Sequence, residues 1–145
     1  MLFDSRLLTE VSNVKNDINN FGRTAGKIWR ALDKYGPLNE DDLAKKIRLN
    51  KNDFYAGIGW LARENKISKK GRTYELSETN LTEKIGCDAG KIWKTLSTNR
   101  DINVTSIAKI SQLKTKDAYN ALGWLAREDK IRINSTSKET KYDLK

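Results

Sequence analysis

The sequence predicts a mainly α-helical protein with small β-hairpins, built from two tandem copies of one small domain. Residues 22–68 and 86–132 are identical at 21 of 47 aligned positions, with a constant offset of 64. Both segments also show the same order of apolar patterns. We therefore divide the chain into residues 1–21, a first copy over residues 22–80 and a second copy over residues 81–145.

Three helices are predicted in each copy. In the first copy, apolar residues at helical spacing predict a helix over residues 22–35, and Gly36 and Pro37 end it. Asn39 is a suitable cap for a second, shorter helix, and a third helix is predicted over residues 51–65. The same patterns recur 64 residues later, so we expect the same three helices in the second copy.

Two short extended runs follow each third helix and predict a β-hairpin. In the first copy they are residues 66–69 and 73–76, and Gly71 suits the turn between them. The second copy has four extra residues in this region, and such length variation belongs in a surface loop. Helix, short strand, helix, turn, helix, hairpin is the order of a winged helix-turn-helix domain, in which the hairpin is the wing.

The segment before the repeat predicts one amphipathic helix over residues 1–21. Leu7, Val11, Val14 and Ile18 follow one another at spacings of four, three and four residues. We expect this helix to pack on the first copy. A dimerisation helix is the alternative, although about five turns are short for a coiled coil.

Two strings of residues carry a resemblance to a known family. Residues 25–29 and 89–93 both read AGKIW, and residues 59–64 and 123–128 both read GWLARE, each followed by a Lys-Ile pair. These strings resemble an uncharacterised family of bacterial and archaeal winged helix-turn-helix domains. The resemblance covers about residues 22–76 and 86–144. It implies the fold and an association with DNA, whereas the family has no established biochemical role.

Composition argues against several functional classes. The chain has no histidine and a single cysteine, which excludes a Cys/His zinc site, a Ser-His-Asp triad and an internal disulfide. No apolar run is long enough to span a bilayer, and no signal peptide is recognisable. We therefore expect a non-enzymatic, cytoplasmic protein without a cofactor, metal, small-molecule ligand or membrane contact.

The charge of the chain points to a polyanionic partner. The net charge is +9, of which residues 1–80 carry +4 and residues 81–145 carry +5. Basic residues cluster on both wings and beside the turn before each third helix, the parts that grip DNA in winged helices. A merely soluble basic protein is the alternative. The candidate nucleic-acid-binding residues are Lys45, Lys51, Asn52, Tyr55, Lys69, Lys70, Arg72, Lys109, Lys114, Lys116, Tyr119, Arg132, Lys138 and Lys141.

Glycine and tryptophan recur at matching places in both copies and predict close packing. Glycine inside a helix costs about 1 kcal/mol relative to alanine, so its retention indicates a close approach of another backbone. Either the two copies pack on each other as an internal pseudo-dimer, or each tryptophan packs only within its own copy. The candidate residues for packing between the copies or with a partner are Gly26, Trp29, Gly59, Trp60, Gly90, Trp93, Gly123 and Trp124.

Two functions fit this sequence. The first is a DNA-binding transcription regulator that holds the phosphate backbone with its wings and helix-turn edges and reads bases with the start of the third helix. The alternative is a scaffold for protein–protein interaction, which the apolar, glycine-containing outer face of the third helix favours. A protein partner or a homodimer is compatible with either.

Overall fold

The structure is a computed structural model that describes the backbone of residues 5–145 and the side chains of residues 18–145. Within these residues the chain is mainly helical and carries two hairpins. The helices are α1 (Ser5–Tyr35), α2 (Glu40–Ile47), α3 (Lys51–Arg63), α4 (Thr82–Thr98), α5 (Val104–Ser111) and α6 (Thr115–Arg127). The strands are β1 (Leu38–Asn39), β2 (Ile67–Lys70), β3 (Thr73–Leu76), β4 (Ile131–Ser135) and β5 (Thr140–Leu144).

The helix-turn-helix units of the two copies have the same local construction. The Asn39 side chain caps α2 by accepting the amide N–H of Asp42 at 2.8 Å, and Asn103 caps α5 in the same way. The turn after each of these helices contains one residue in the left-handed conformation, Arg48 at φ 52° and Gln112 at φ 57°. Two equivalent turns therefore aim α3 and α6 in equivalent directions.

Each wing is an antiparallel hairpin that directly follows the third helix of its copy. In the first wing β2 pairs with β3, and Gly71 at φ 62° makes the tight turn. β1 pairs with the other edge of β3, so this sheet has three strands in the order β1-β3-β2. The second wing has two strands, and an isolated bridge between Ile102 and Tyr142 takes the place of β1.

The first helix is longer than the sequence predicts. We expected a helix over residues 22–35 and a separate one within residues 1–21, but α1 runs without interruption from Ser5 to Tyr35. Gly22, at the expected boundary, is tolerated inside the helix because the Trp60 ring packs over it. The side chains of Leu7, Val11 and Val14 lie outside the described residues.

Both hydrophobic cores include buried side chains of the other copy, among them Ala56 of α3 in the core of the second copy. Phe21 of α1 belongs to the core of the second copy, and Ile18 packs beside it. The equivalent residue of the second copy, Ile85 of α4, belongs to the core of the first copy. We expected residues 1–21 to pack on the first copy, whereas the described part of that segment, at Ile18 and Phe21, packs on the second. Each core therefore depends on the other copy.

The helices α3 and α6 form the centre of the molecule and run parallel to each other. In the middle of α3, Tyr55 and Gly59 contact Asn120 of α6, and at the end of α3, Arg63 contacts Glu128 at the end of α6. The contacts therefore advance in the same direction along both helices. A Cβ atom on Gly59 would overlap the carbonyl oxygen of Asn120, and one on Gly123 would overlap that of Ala56. The two helix backbones are thus in direct contact, as glycine permits.

Candidate nucleic-acid interface

The packing of α3 on α6 decides which residues are available to a ligand. Residues 54–59 are buried, as are most of residues 118–126. Exposed side chains of α3 and α6 are confined to their first turns and to Arg63 and Arg127 near their ends. Our expectation of an apolar, glycine-containing outer face on the third helix is wrong at Tyr55, Ala56 and Gly59, because the other copy covers them, whereas Trp60 is half-buried.

Tyr55 is part of a buried polar cluster and not of a ligand-binding surface. Its hydroxyl donates to Glu40 Oε2 at 3.1 Å, and the Tyr74 hydroxyl donates to Glu40 Oε1 at 3.4 Å. Lys116 of the second copy lies 3.6 Å from the same carboxylate, with its ammonium above the Tyr55 ring. Burial, and then the Glu40 charge, raises the pKa of Tyr55 to about 12. The prediction that Tyr55 is available to bind nucleic acid is therefore wrong.

The first wing lies beside the first turn of α6, which belongs to the other copy. Burial lowers the pKa of the Lys69 ammonium, and the neighbouring Lys116 lowers it further. At the tip, Lys70 pairs with Glu75 at 3.2 Å and Arg72 with Asp41 at 3.7 Å, both at the surface. These pairs are weak in water, so both cations can exchange to another anion at low cost.

The second wing lies beside the first turn of α3. Each wing therefore lies against the third helix of the other copy, in a crossed arrangement. One polar cavity of about 200 Å³ lies between the second wing and α3, and its polar lining includes Asn50, Asn52 and Asp53 from the start of α3, Tyr119 of α6, and Ser135 and Thr140 of the wing. Burial raises the pKa of the Tyr119 hydroxyl, so this side chain stays protonated in the cavity wall. The α3 start and the second wing thus form one continuous surface.

Both crossed arrangements lie at the same end of the molecule, since α3 and α6 are parallel. This end carries two helix N-termini, the two turns that precede them and both wings. We call it the basic face. Its described cations that form no ion pair with an acid include Lys45, Arg48, Lys51, Lys69, Lys109, Lys114, Lys138 and Lys141, and those that form one include Lys70, Arg72 and Lys116. Arg132 lies apart, at the base of the second wing, where it donates to the Leu144 carbonyl oxygen.

The predicted packing residues separate into two groups. Gly59 and Gly123 lie at the contact of α3 with α6, and Trp60 and Trp124, which pack over Gly22 and Gly86 of their own copies, also border the cores of both copies. The other four do not lie between the copies: Trp29 and Trp93 are 38% and 47% exposed, and Gly26 and Gly90 have an open outer side. For those four, packing between the copies is a wrong expectation.

Several residues that join the copies were not singled out by the sequence. Arg63 donates to Glu128 and Arg127 donates to Glu64, both at 3.1 Å, whereas the sequence suggested that each arginine pairs with an acid of the first or second helix. Each arginine also lies over a tryptophan of the other copy. The sequence shows an arginine next to a glutamate in both GWLARE strings, but only the tertiary structure shows which glutamate pairs with which arginine.

None of the described helices combines the length and the apolar character that crossing a membrane requires. Within the same residues there is also no cluster of three or more side chains suited to holding a metal ion.

Comparison with known proteins identifies the fold in both halves of the chain. The uncharacterized protein MJ1608 of Methanocaldococcus jannaschii is 38% identical over 68 residues, which are 43% of this chain and 91% of that protein. That match is about as long as one 64-residue repeat. No solved structure matches the chain. The winged helix-turn-helix fold is one that DNA-binding regulators commonly use. The winged helix-turn-helix domain (DUF2582) matches residues 16–79 and again residues 80–143, and the chain belongs to this family.

Proposed function

We propose that this protein binds duplex DNA, without enzymatic activity, and acts in the cytoplasm as a transcription regulator. The observation that carries the proposal is the basic face, where two helix N-termini and two wings meet. The backbone N–H groups at a helix N-terminus attract phosphate, and lysines release counterions when they neutralise it. Lys51 and Lys114, at the starts of α3 and α6, stand where both effects combine.

The contacts in this mode go mainly to phosphates. A helix-turn-helix protein usually reads bases by laying its third helix in the major groove. Here the middle of α3 and of α6 is covered by the other copy, so entry into the groove would require the copies to separate. The first turns, with Asn52 and Lys116, remain for a small amount of base contact. We therefore expect modest sequence preference, because phosphate contacts position a protein without specifying a sequence.

The test is binding of a fluorescent 24-base-pair duplex, measured by anisotropy between 50 and 200 mM salt. The unchanged protein should bind with a steep salt dependence. A variant with Lys51, Lys114, Lys138 and Lys141 changed to alanine should bind less tightly, and its slope of log K against log salt should be smaller by about 3 to 4.

A control variant removes the same charge from another surface. Lys27, Arg30, Lys91 and Lys94, all on the outer sides of α1 and α4, are changed to alanine, and this variant should keep most of the salt slope. Equal losses in both variants would show that net charge and not the basic face governs binding. No binding by the unchanged protein at 50 mM salt would refute the proposal.

A scaffold for protein–protein interaction is the second candidate function. Its supporting observation is the exposure of Trp29 and Trp93, since exposed large apolar side chains beside cations are typical of interaction surfaces. A stoichiometric protein partner that stays bound after nuclease treatment would favour this function.

A further inference from the structure

Two equivalent grooves flank the molecule at the other end of α3 and α6. The first groove lies between α1 and the C-terminal end of α3 and encloses about 460 Å³. The second lies between α4 and the C-terminal end of α6 and encloses about 330 Å³. The four tryptophans of the chain, Trp29 and Trp60 in the first groove and Trp93 and Trp124 in the second, all line them.

The grooves differ between the copies less than the rest of the repeat does. Eight of the nine residues that line the first groove are identical at the equivalent positions of the second copy, and the ninth exchanges Arg30 for Lys94. Over the whole aligned repeat only 21 of 47 positions are identical. Core packing accounts for buried members such as Leu61, but not for the exposed Trp29 or Lys66. Two copies that have diverged elsewhere thus retain the same surface, which indicates the same ligand twice.

The glycines in the groove floors have no explanation within the chain. A Cβ atom on Gly90 would meet nothing within 4 Å, and one on Gly26 would meet only the flexible end of Arg30 at 3.4 Å. Both glycines lie inside helices, where alanine is more favourable. Their retention is explained if another molecule comes close to the helix backbone at these points.

The rims of the grooves carry an excess of positive charge. The acid in the first groove, Glu64, is held by Arg127 at 3.1 Å and lies 3.7 Å from Lys66. Glu128 in the second groove is held in the same way by Arg63 and Lys130. No acid whose side chain the structure describes pairs with the neighbouring cations, which are Lys27, Arg30, Lys91 and Lys94.

We propose that each groove binds an acidic, amphipathic helical segment of a partner protein. A bulky apolar side chain of the segment lies between the paired tryptophans and over Gly26 or Gly90. Its carboxylates face Arg30 and Lys27 in the first groove, and Lys94 and Lys91 in the second. A partner with two such segments, as a homodimer has, engages both grooves at once and gains from the raised effective concentration.

A protein segment suits the grooves better than a nucleic acid does. The lining of each groove consists mainly of tryptophan, leucine, alanine and glycine, which offer a phosphate chain few polar partners. An amphipathic helix suits this lining, because its apolar face lies in the groove while its acids reach the cations of the rim. The grooves lie at the opposite end of α3 and α6 from the basic face, so the two surfaces can be tested separately.

The probe for the test is a synthetic 16-residue helical peptide with leucines on one face and glutamates on the other. Binding is followed by tryptophan fluorescence, which reports on the grooves because all four tryptophans line them, and by the stoichiometry from calorimetry. We expect two peptides per chain. A peptide of the same composition with scattered leucines, and a 20-nucleotide single-stranded DNA, serve as comparison probes.

Variants in the groove floor separate docking from stability. Changing Gly26 and Gly90 to leucine fills both grooves and should weaken peptide binding at least about tenfold. Changing them to alanine should weaken binding while raising the melting temperature, a combination that a purely structural glycine would not give. Both variants should bind duplex DNA like the unchanged protein, and the alanine variant of the basic face should bind the peptide normally.

Three results would overturn the proposal. They are equal binding of the peptide with scattered leucines, unchanged peptide binding by the leucine-filled variant, and a tryptophan response to single-stranded DNA without one to the peptide. Loss of DNA binding by the basic-face variant alone would leave the grooves unaffected, so the two proposals fail independently.

Discussion

The contact between α3 and α6 is tested most directly by changing Gly59 to alanine. The added Cβ atom would overlap the Asn120 carbonyl oxygen and lie 2.7 Å from its carbonyl carbon. The atoms it meets belong to a helix backbone and cannot rotate away, so the helices must move apart by about 1.7 Å to restore ordinary van der Waals contact. Overpacking of this kind costs about 1–3 kcal/mol, and the upper part of that range applies because backbone cannot yield.

A matched substitution gives the reference for this experiment. Gly90 is also inside a helix, but a Cβ atom there meets nothing within 4 Å, so Gly90→Ala should stabilise the protein by about 1 kcal/mol. Gly59→Ala has the same gain in helix propensity, so the two variants should differ by the overpacking cost alone, about 2–3 kcal/mol.

Urea denaturation followed by far-ultraviolet circular dichroism measures the difference, which corresponds to about 1–2 M in the midpoint. The double variant of Gly59 and Gly123 should cost less than the sum of the two single variants, since one separation of the helices relieves both overlaps. A Gly59→Ala protein as stable as Gly90→Ala would refute the close contact of the two helices.

Two further predictions concern the exchanged core residue and the buried tyrosine cluster. Phe21→Ala should destabilise the protein by about 3–5 kcal/mol in urea denaturation and shift the amide resonances of the second copy, in whose core the ring lies; shifts confined to the first copy would contradict the exchange. The folded state keeps the proton of Tyr55 up to about pH 12, whereas the unfolded state releases it near pH 10. The unfolded state therefore binds fewer protons between these values, so stability should fall as pH rises from 10 towards 12, and Tyr55→Phe should reduce that fall in urea midpoints.

Secondary structure followed closely from local signals in the sequence. Asn39 was the expected cap of α2, and Asn50 caps α3 in the same way. Each cap is a side-chain hydrogen bond to a neighbour three residues away. Gly71 marks the turn of the first wing for an equally local reason, its positive φ. The family and the two copies were predicted because the repeat is visible in the chain itself.

The boundary between residues 1–21 and the first copy was predicted less well. The boundary was placed at residue 21 because the repeat begins at residue 22. Helix continuity depends instead on local propensity and packing, and α1 continues through Gly22, over which the Trp60 ring packs. The packing partner of this segment was also missed. Phe21 is an ordinary apolar residue at helical spacing, and periodicity tells that such a residue is buried without telling against what.

The sequence by itself determined that this protein has two winged helix-turn-helix domains, that glycine and tryptophan recur in both, and that the chain is basic. Only the tertiary structure decided that α3 and α6 lie parallel and cover each other's middle turns, which removes Tyr55 from the surface and leaves Trp29 and Trp93 on it. The physical reason is that periodicity, caps and turns are set by neighbours in the chain. The partner of an apolar or glycine face is set by which distant surface fits it, and composition does not record that fit.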